Sequence, residues 1–257
     1  MWRKELIDMR WRVLFMVIFM VITLVIIIVS KPMATQMTGV ILSQMDKMPD
    51  FFKKMMTQVW DISRIKENDY YLLSTWQGKN LGQSLVILVL LVAAPLFARE
   101  VEKKTIYWLL SHRSRKNVFW HKWLSAWTVI MIITVIMAFA GPFAMNLAGY
   151  SVGYSMTARI LIHEITAVTF LLSLFVLISV ASNDQVKPLI AGILVALIFP
   201  VFSFVKSLSW ANIYPYIFGL NLIKVGGHIQ WDYTAVLWVI TLIFLFVAQQ
   251  LFINREF

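Results

Sequence analysis

Arg159, His163 and Glu164 are the ionisable residues that fall inside the fourth long apolar run of the sequence, and chemistry is sought there first. Arg159 and His163 stand four apart and share a helical face. A charge at mid-bilayer costs about 2.5–3.5 kcal/mol on insertion scales, so such groups turn to a cavity, a partner or the interface. Two readings fit: an interfacial structural cluster, or the lining of a route across the membrane. Metal chemistry is not expected. His163-Glu164 opens the string HEITA, which lacks the second histidine of a zinc-binding HExxH helix, and no other histidine stands at ligand spacing. The chain has no cysteine, which excludes disulfides and thiolate catalysis. The nearest string to a phosphate-binding loop, Gly78-Lys79-Asn80, lacks both the upstream glycine and the hydroxyl residue. No Ser/His/Asp arrangement can be argued either. The chain is expected not to be an enzyme and to carry no cofactor of its own.

The elements that must position these residues are membrane spans. Of 257 residues 60% are hydrophobic, and the mean hydropathy is +0.76, too apolar for a soluble domain of this length. Runs of about 18 or more largely uncharged residues predict six transmembrane helices, near 13–30, 81–98, 123–147, 158–181, 188–205 and 234–253. The fold class is therefore an all-α polytopic membrane protein forming one transmembrane domain over residues 1–257. With both termini inside, the inner segments carry a net charge of +7 and the outer ones +3. The basic balance then reflects the positive-inside rule and anionic lipid headgroups, not nucleic acid.

Between the spans, residues 1–12 place Trp2, Leu6 and Met9 on one stripe and suit an interfacial elbow helix. A signal peptide competes with that reading, but the apolar run is long for one and no small-x-small cleavage site follows. Residues 31–80 read as an extracellular loop. Two amphipathic pieces are expected in it, around Met37–Met48 and around Phe51–Val59, with Tyr70, Tyr71 and Trp76 as interfacial aromatics. Between spans five and six, Trp210, Tyr214, Tyr216 and Trp231 read as belt residues. Pro142 should kink the third span.

Residues 99–122 stand out as a densely charged segment between two apolar runs, with seven Lys and Arg against Glu100 and Glu102. Ile106, Leu109 and Leu110 recur at helical spacing within it, predicting a short amphipathic helix. That helix is either a docking element for a soluble partner or part of a solvated basic loop that only fixes topology.

This segment resembles the first cytoplasmic loop of the permease subunits of type-2 ATP-binding-cassette (ABC) exporters. The shared features are the acidic-basic run with Glu100 and Glu102, Thr105, the Leu109-Leu110-Ser111 turn, the basic Arg113 and Arg115, and Lys122 opening the next span. Two positions depart from the pattern. Lys104 stands where the family usually has glycine, and His112-Arg113 where it often has proline, so the helix is expected to run on for longer here. The end of the fourth span, LLSLFVLISVASND, and the terminal Phe252 with Arg255-Glu256 are also similar to the family.

The resemblance implies six spans with both ends in the cytoplasm, an elbow helix, and a coupling helix between spans two and three. It assigns Glu100, Thr105, Ile106, Leu109, Leu110 and Ser111 to contact with an ATPase; Arg159, His163 and Glu164 stay, on their charge within the fourth run, a possible pathway. Expected partners are two copies of a cytoplasmic ABC ATPase, which would bind ATP and Mg, a second permease subunit in a homo- or heterodimer, and membrane lipids. The implied function is ATP-driven export of an amphipathic or hydrophobic substrate across the bacterial plasma membrane, most like the peptide, toxin and antibiotic exporters. The alternatives are sodium or lipid export by the same family, or a non-transporting immunity or scaffold protein.

Overall fold

Inside a bilayer, backbone groups have no water to bond, so an uncharged apolar run closes its hydrogen bonds within itself as a helix. The computed structural model describes residues 2–45, 62–224 and 227–256, and its described residues are helices and connecting turns. Six helices are long and apolar enough to cross a membrane: Trp2–Thr38, Asn68–Glu102, Arg115–Leu147, Ser155–Ala181, Val186–Phe204 and Trp231–Asn254. They are called the first to sixth spans below, and the protein is a multi-pass membrane protein.

The second and fourth spans form the centre of the bundle, with Leu85, Leu88, Val92, Leu172 and Val176 fully enclosed. The first, fifth and sixth spans leave long apolar faces uncovered, among them Phe15, Ile22, Val29, Leu194, Leu197, Leu242 and Phe246. Faces of that size would be a liability in water and are what a lipid-facing surface requires. Both termini lie at one end of the bundle. Lys4 pairs with Glu100 near the end of the second span, while Arg115 donates to the Ile253 carbonyl and Arg255 to that of Val180.

Several elements differ from expectation. No break separates an elbow from the first span: Trp2–Met45 is one helix of 44 residues, continuous through Arg12. The polar excursion after it is correspondingly short. The helix extends past Lys31, and the next helical rod begins at Asn68 and runs through a π-helical stretch, Leu73–Leu81, into the second span. Tyr70, Tyr71 and Trp76 are therefore buried helix residues, not an interfacial belt. The amphipathic piece expected around Phe51–Val59 lies outside the described residues. Between the fifth and sixth spans, short helices Tyr214–Ile217 and Leu220–Ile223 fold back against the fourth span, so Tyr216 and Ile217 are buried. The turn between them needs Gly219, whose φ of +60° is left-handed and whose missing Cβ leaves room for Ile160.

Three prolines of the spans, Pro95, Pro142 and Pro200, share one device. A proline has no N–H, so it frees the carbonyl four residues earlier. Pro95 frees Leu91 O, which accepts from Arg12 Nη1 at 2.8 Å. Pro142 frees Ala138 O, which accepts from Gln77 Nε2 at 3.4 Å. Pro200 frees Ala196 O, which accepts from the Tyr214 hydroxyl at 3.1 Å. In each case a side chain from another element restores the missing bond, which converts a local defect into a tertiary tie. Ser179 completes the repair around Pro95: its hydroxyl donates to Ala94 O at 2.7 Å and accepts from the Phe97 and Ala98 amides. The third span finds a further tie beside Pro142. Trp76 Nε1 reaches Met137 O at 3.1 Å, and Gly141 leaves the space that its ring occupies.

The device predicts a thermodynamic cycle. Tyr214→Phe removes only the hydroxyl and is expected to cost about 1 kcal/mol, because Ala196 O loses its partner. In a Pro200→Ala background the backbone N–H returns, and the same Tyr214→Phe change should then cost close to nothing. Equal losses in both backgrounds, read from melting curves in detergent, would refute the tie.

Candidate functional site

Three polar features stand out: a buried charge cluster at the end that holds the termini, the short helix beside it, and a buried pair at the opposite end.

Glu100 is the hub of the cluster. Its Oε1 accepts from Lys4 Nζ at 2.8 Å and from Lys122 Nζ at 3.1 Å, and its Oε2 accepts from the Thr105 hydroxyl. Lys122 also donates to Glu5 Oε1 at 2.8 Å. Lys122, Glu5 and Glu100 are all buried, with Lys122 only 1% exposed. Two carboxylates against two ammonium groups make the cluster neutral, the condition on which buried charge is tolerated. Its members come from the first span, the second span, the turn before the short helix and the third span. A displacement of any one element is therefore felt by the other three. Glu102 extends the connection by accepting from the Gln185 amide at 3.0 Å, in the loop between spans four and five. Asp184, in the same loop, caps the start of the fifth span through the Lys187 and Val186 amides; the bonds from the Lys187 amide and side chain above all hold its carboxyl below the usual carboxylate range.

The short helix is Ile106–His112. It does not run on as the missing glycine and proline suggested. The second span ends at Glu102, and Lys104 turns the chain with φ +57°, the left-handed conformation that glycine adopts at least cost. At the other end Arg113 is extended, and Ser114 caps the third span by accepting from the Asn117 amide. Of the residues assigned to an ATPase contact, Ile106 and Leu109 point the other way. They are 1% and 5% exposed and belong to the protein's own core. Glu100 is likewise buried in the cluster, while Thr105 is exposed and bonds Glu100 through its hydroxyl. Leu110 is half-buried and Ser111 exposed, with its hydroxyl donating to Trp108 O at 2.8 Å. The outward face is carried by Tyr107 and Trp108, 53% and 63% exposed, with His112 beside Trp108 at a ring distance of 5.0 Å.

At the opposite end the structure separates the three residues read as a pathway. Arg159 is exposed, whereas His163 and Glu164 are fully buried. The His163 ring stacks on Tyr216 at 4.2 Å, and its Nε2 accepts from the Gln230 amide at 3.4 Å. The Tyr216 hydroxyl bonds Thr234 at 2.6 Å. Burial raises the Tyr216 phenol above its ordinary range. Among the described residues, neither Glu164 oxygen nor His163 Nδ1 has a hydrogen-bond partner. Among the described residues no group of three or more His, Asp or Glu could hold a metal ion.

Sequence reasoning passed over Lys4 and Glu5 and gave Lys122 no role beyond opening a span. The available signal was sign complementarity: the cations Lys4 and Lys122 and the anions Glu5 and Glu100 all lie in segments that the predicted topology puts on one side of the membrane. No protein-family model, curated protein or solved structure matches the chain.

Proposed function

We propose that this chain is the membrane-spanning permease subunit of a type-2 ABC exporter in the bacterial plasma membrane, with both termini in the cytoplasm. The observation that carries the reading is the short helix Ile106–His112. It is anchored from beneath by Ile106 and Leu109 and tied at its start to Glu100 through Thr105, yet it presents Tyr107 and Trp108 outward. Exposed aromatic residues on a rigidly held helix are the usual anchors of a protein contact. A push on that face reaches the first, second and third spans together through the Lys4–Glu100–Lys122–Glu5 cluster. The other half of the machine would be two copies of a cytoplasmic ATPase, which bind ATP and Mg, and a second permease subunit. The cargo would be amphipathic or hydrophobic, a peptide, toxin or antibiotic. Apart from residues at their ends, the second, third, fifth and sixth spans offer no carboxylate to replace the water of a hydrated ion.

The test compares two aspartates on neighbouring faces. The chain, affinity-tagged and purified from its native membranes in mild detergent, should retain Mg-dependent ATPase activity contributed by a bound subunit. Trp108→Asp should reduce the retained activity tenfold or more while leaving the melting temperature of the chain unchanged. Leu109→Asp should instead unfold the chain, since it forces a carboxylate into the core. Absence of ATPase activity from the wild-type preparation, or full retention by Trp108→Asp, would overturn the proposal.

A further inference from the structure

At the end of the bundle that holds the termini, a cleft of about 350 Å³ opens between the first, second and fifth spans. One wall is polar, made by Arg12, Arg99 and Gln185; the other is apolar, made by Leu91, Pro95 and Val186 with their neighbours. The charge there is not balanced. Arg12 spends Nη1 on Leu91 O at 2.8 Å and Nη2 on Asp8 O at 2.9 Å, both neutral acceptors. Arg99 reaches the Asp8 carboxylate at 3.6 Å. Asp8 is the one carboxylate in ion-pair range of either guanidinium among the described residues. Glu5 and Glu100 are held by the lysines and Asp184 by Lys187 at 2.9 Å, while Glu102 bonds the Gln185 amide and lies outside ion-pair range of both guanidinium groups among the described residues. The cleft thus holds two guanidinium groups against one carboxylate, beside an apolar wall that includes Val186, 57% exposed on a span that faces lipid.

We infer that this cleft binds the phosphate of an anionic glycerophospholipid. The phosphate would sit between Arg12 and Arg99, supplying the missing negative charge, with its acyl chain laid along Val186 and Leu189. Charge complementarity, the volume and the position at the ends of three spans all fit that occupant. Basic pockets between membrane helices recognise lipid headgroups in this way, and a planar guanidinium pairs with phosphate in two-point geometry. A bound lipid would also steady Arg12 on the carbonyl freed by Pro95 and Arg99 next to Glu100, so it would brace the junction of the first and second spans. The inference is independent of what the protein transports.

The experiment uses the full chain, delipidated in detergent and titrated with phosphatidylglycerol, with phosphatidylcholine of the same acyl chains, or with inorganic phosphate. Native mass spectrometry counts retained lipid and a melting curve follows stability. Phosphatidylglycerol should be retained at one site per chain and raise the melting temperature, whereas phosphatidylcholine and inorganic phosphate should do neither. Arg99→Gln should weaken retention at least fivefold. Val186→Trp, which fills the cleft without altering its charge, should do the same and serves if Arg99→Gln folds poorly. Arg159→Gln, at the other end of the bundle, should leave retention unchanged. Equal retention of phosphatidylcholine, an equal effect of inorganic phosphate, or undiminished binding by Val186→Trp would overturn the assignment. So would a dimer that forms through the cleft and excludes lipid.

Discussion

Lys122→Met is expected to lower the stability of the chain by about 3–5 kcal/mol, a large share of the about 5–15 kcal/mol that separates ordinary folded and unfolded states. The ammonium group is 1% exposed and bonds two carboxylates, Glu5 at 2.8 Å and Glu100 at 3.1 Å. Removing it leaves Glu5 without its cation and Glu100 with only Lys4, both still buried. The cost comes from stranded charge more than from lost attraction, and that distinction is testable. Glu5→Gln combined with Lys122→Met removes one charge of each sign and should recover much of the loss. Lys122→Arg keeps the charge but demands space for a planar fork, so it should fall between. The readout is the yield of monodisperse protein and its melting temperature in detergent. A single Lys122→Met variant as stable as the parent would show that the cluster contributes nothing to the fold.

The parts of this architecture that could be read from the sequence are those set by local composition. Six spans follow from runs of uncharged residues, because the bilayer leaves the backbone no other choice. The short helix at Ile106–His112 follows from the spacing of Ile106, Leu109 and Leu110. What could not be read was direction. An apolar stripe fits a partner or the chain's own bundle equally well, and only tertiary placement shows that Ile106 and Leu109 are used internally while Tyr107 and Trp108 face out. The same blindness hid the proline repairs. Pro95, Pro142 and Pro200 announce a freed carbonyl, but Arg12, Gln77 and Tyr214 are far from them in sequence. Lys104 shows a different failure. Glycine is the cheapest residue at a left-handed turn, yet it is not the only one tolerated when the helices on both sides are held. Tyr216 looked like a belt residue because aromatics near span ends usually are; here the segment turns back and stacks it on His163.

Glu164→Met is expected to stabilise the chain by about 1–3 kcal/mol and, under the proposed exporter reading, to abolish transport. The Glu164 side chain is fully buried in the fourth span and neither oxygen has a hydrogen-bond partner among the described residues, so no bond there offsets its desolvation. Methionine has a similar length and an adaptable apolar shape, so it should fill the space without a cavity. In a domain of this size each kcal/mol moves the melting temperature by about 2–4 °C, which a detergent melt resolves. A costly polar group inside a span is the kind of local violation found where a protein needs the group for work. Under the exporter reading, Glu164 meets its partner only in a conformation reached during the cycle or with cargo in place. The Glu164→Met protein should therefore insert, bind its ATPase and melt at a higher temperature, yet fail to move substrate. Glu164→Gln, which keeps hydrogen-bonding atoms without the carboxylate, tells whether charge or hydrogen bonding is required. A lower melting temperature for Glu164→Met would mean that the carboxyl is satisfied in the resting protein, and unchanged transport would remove it from the pathway.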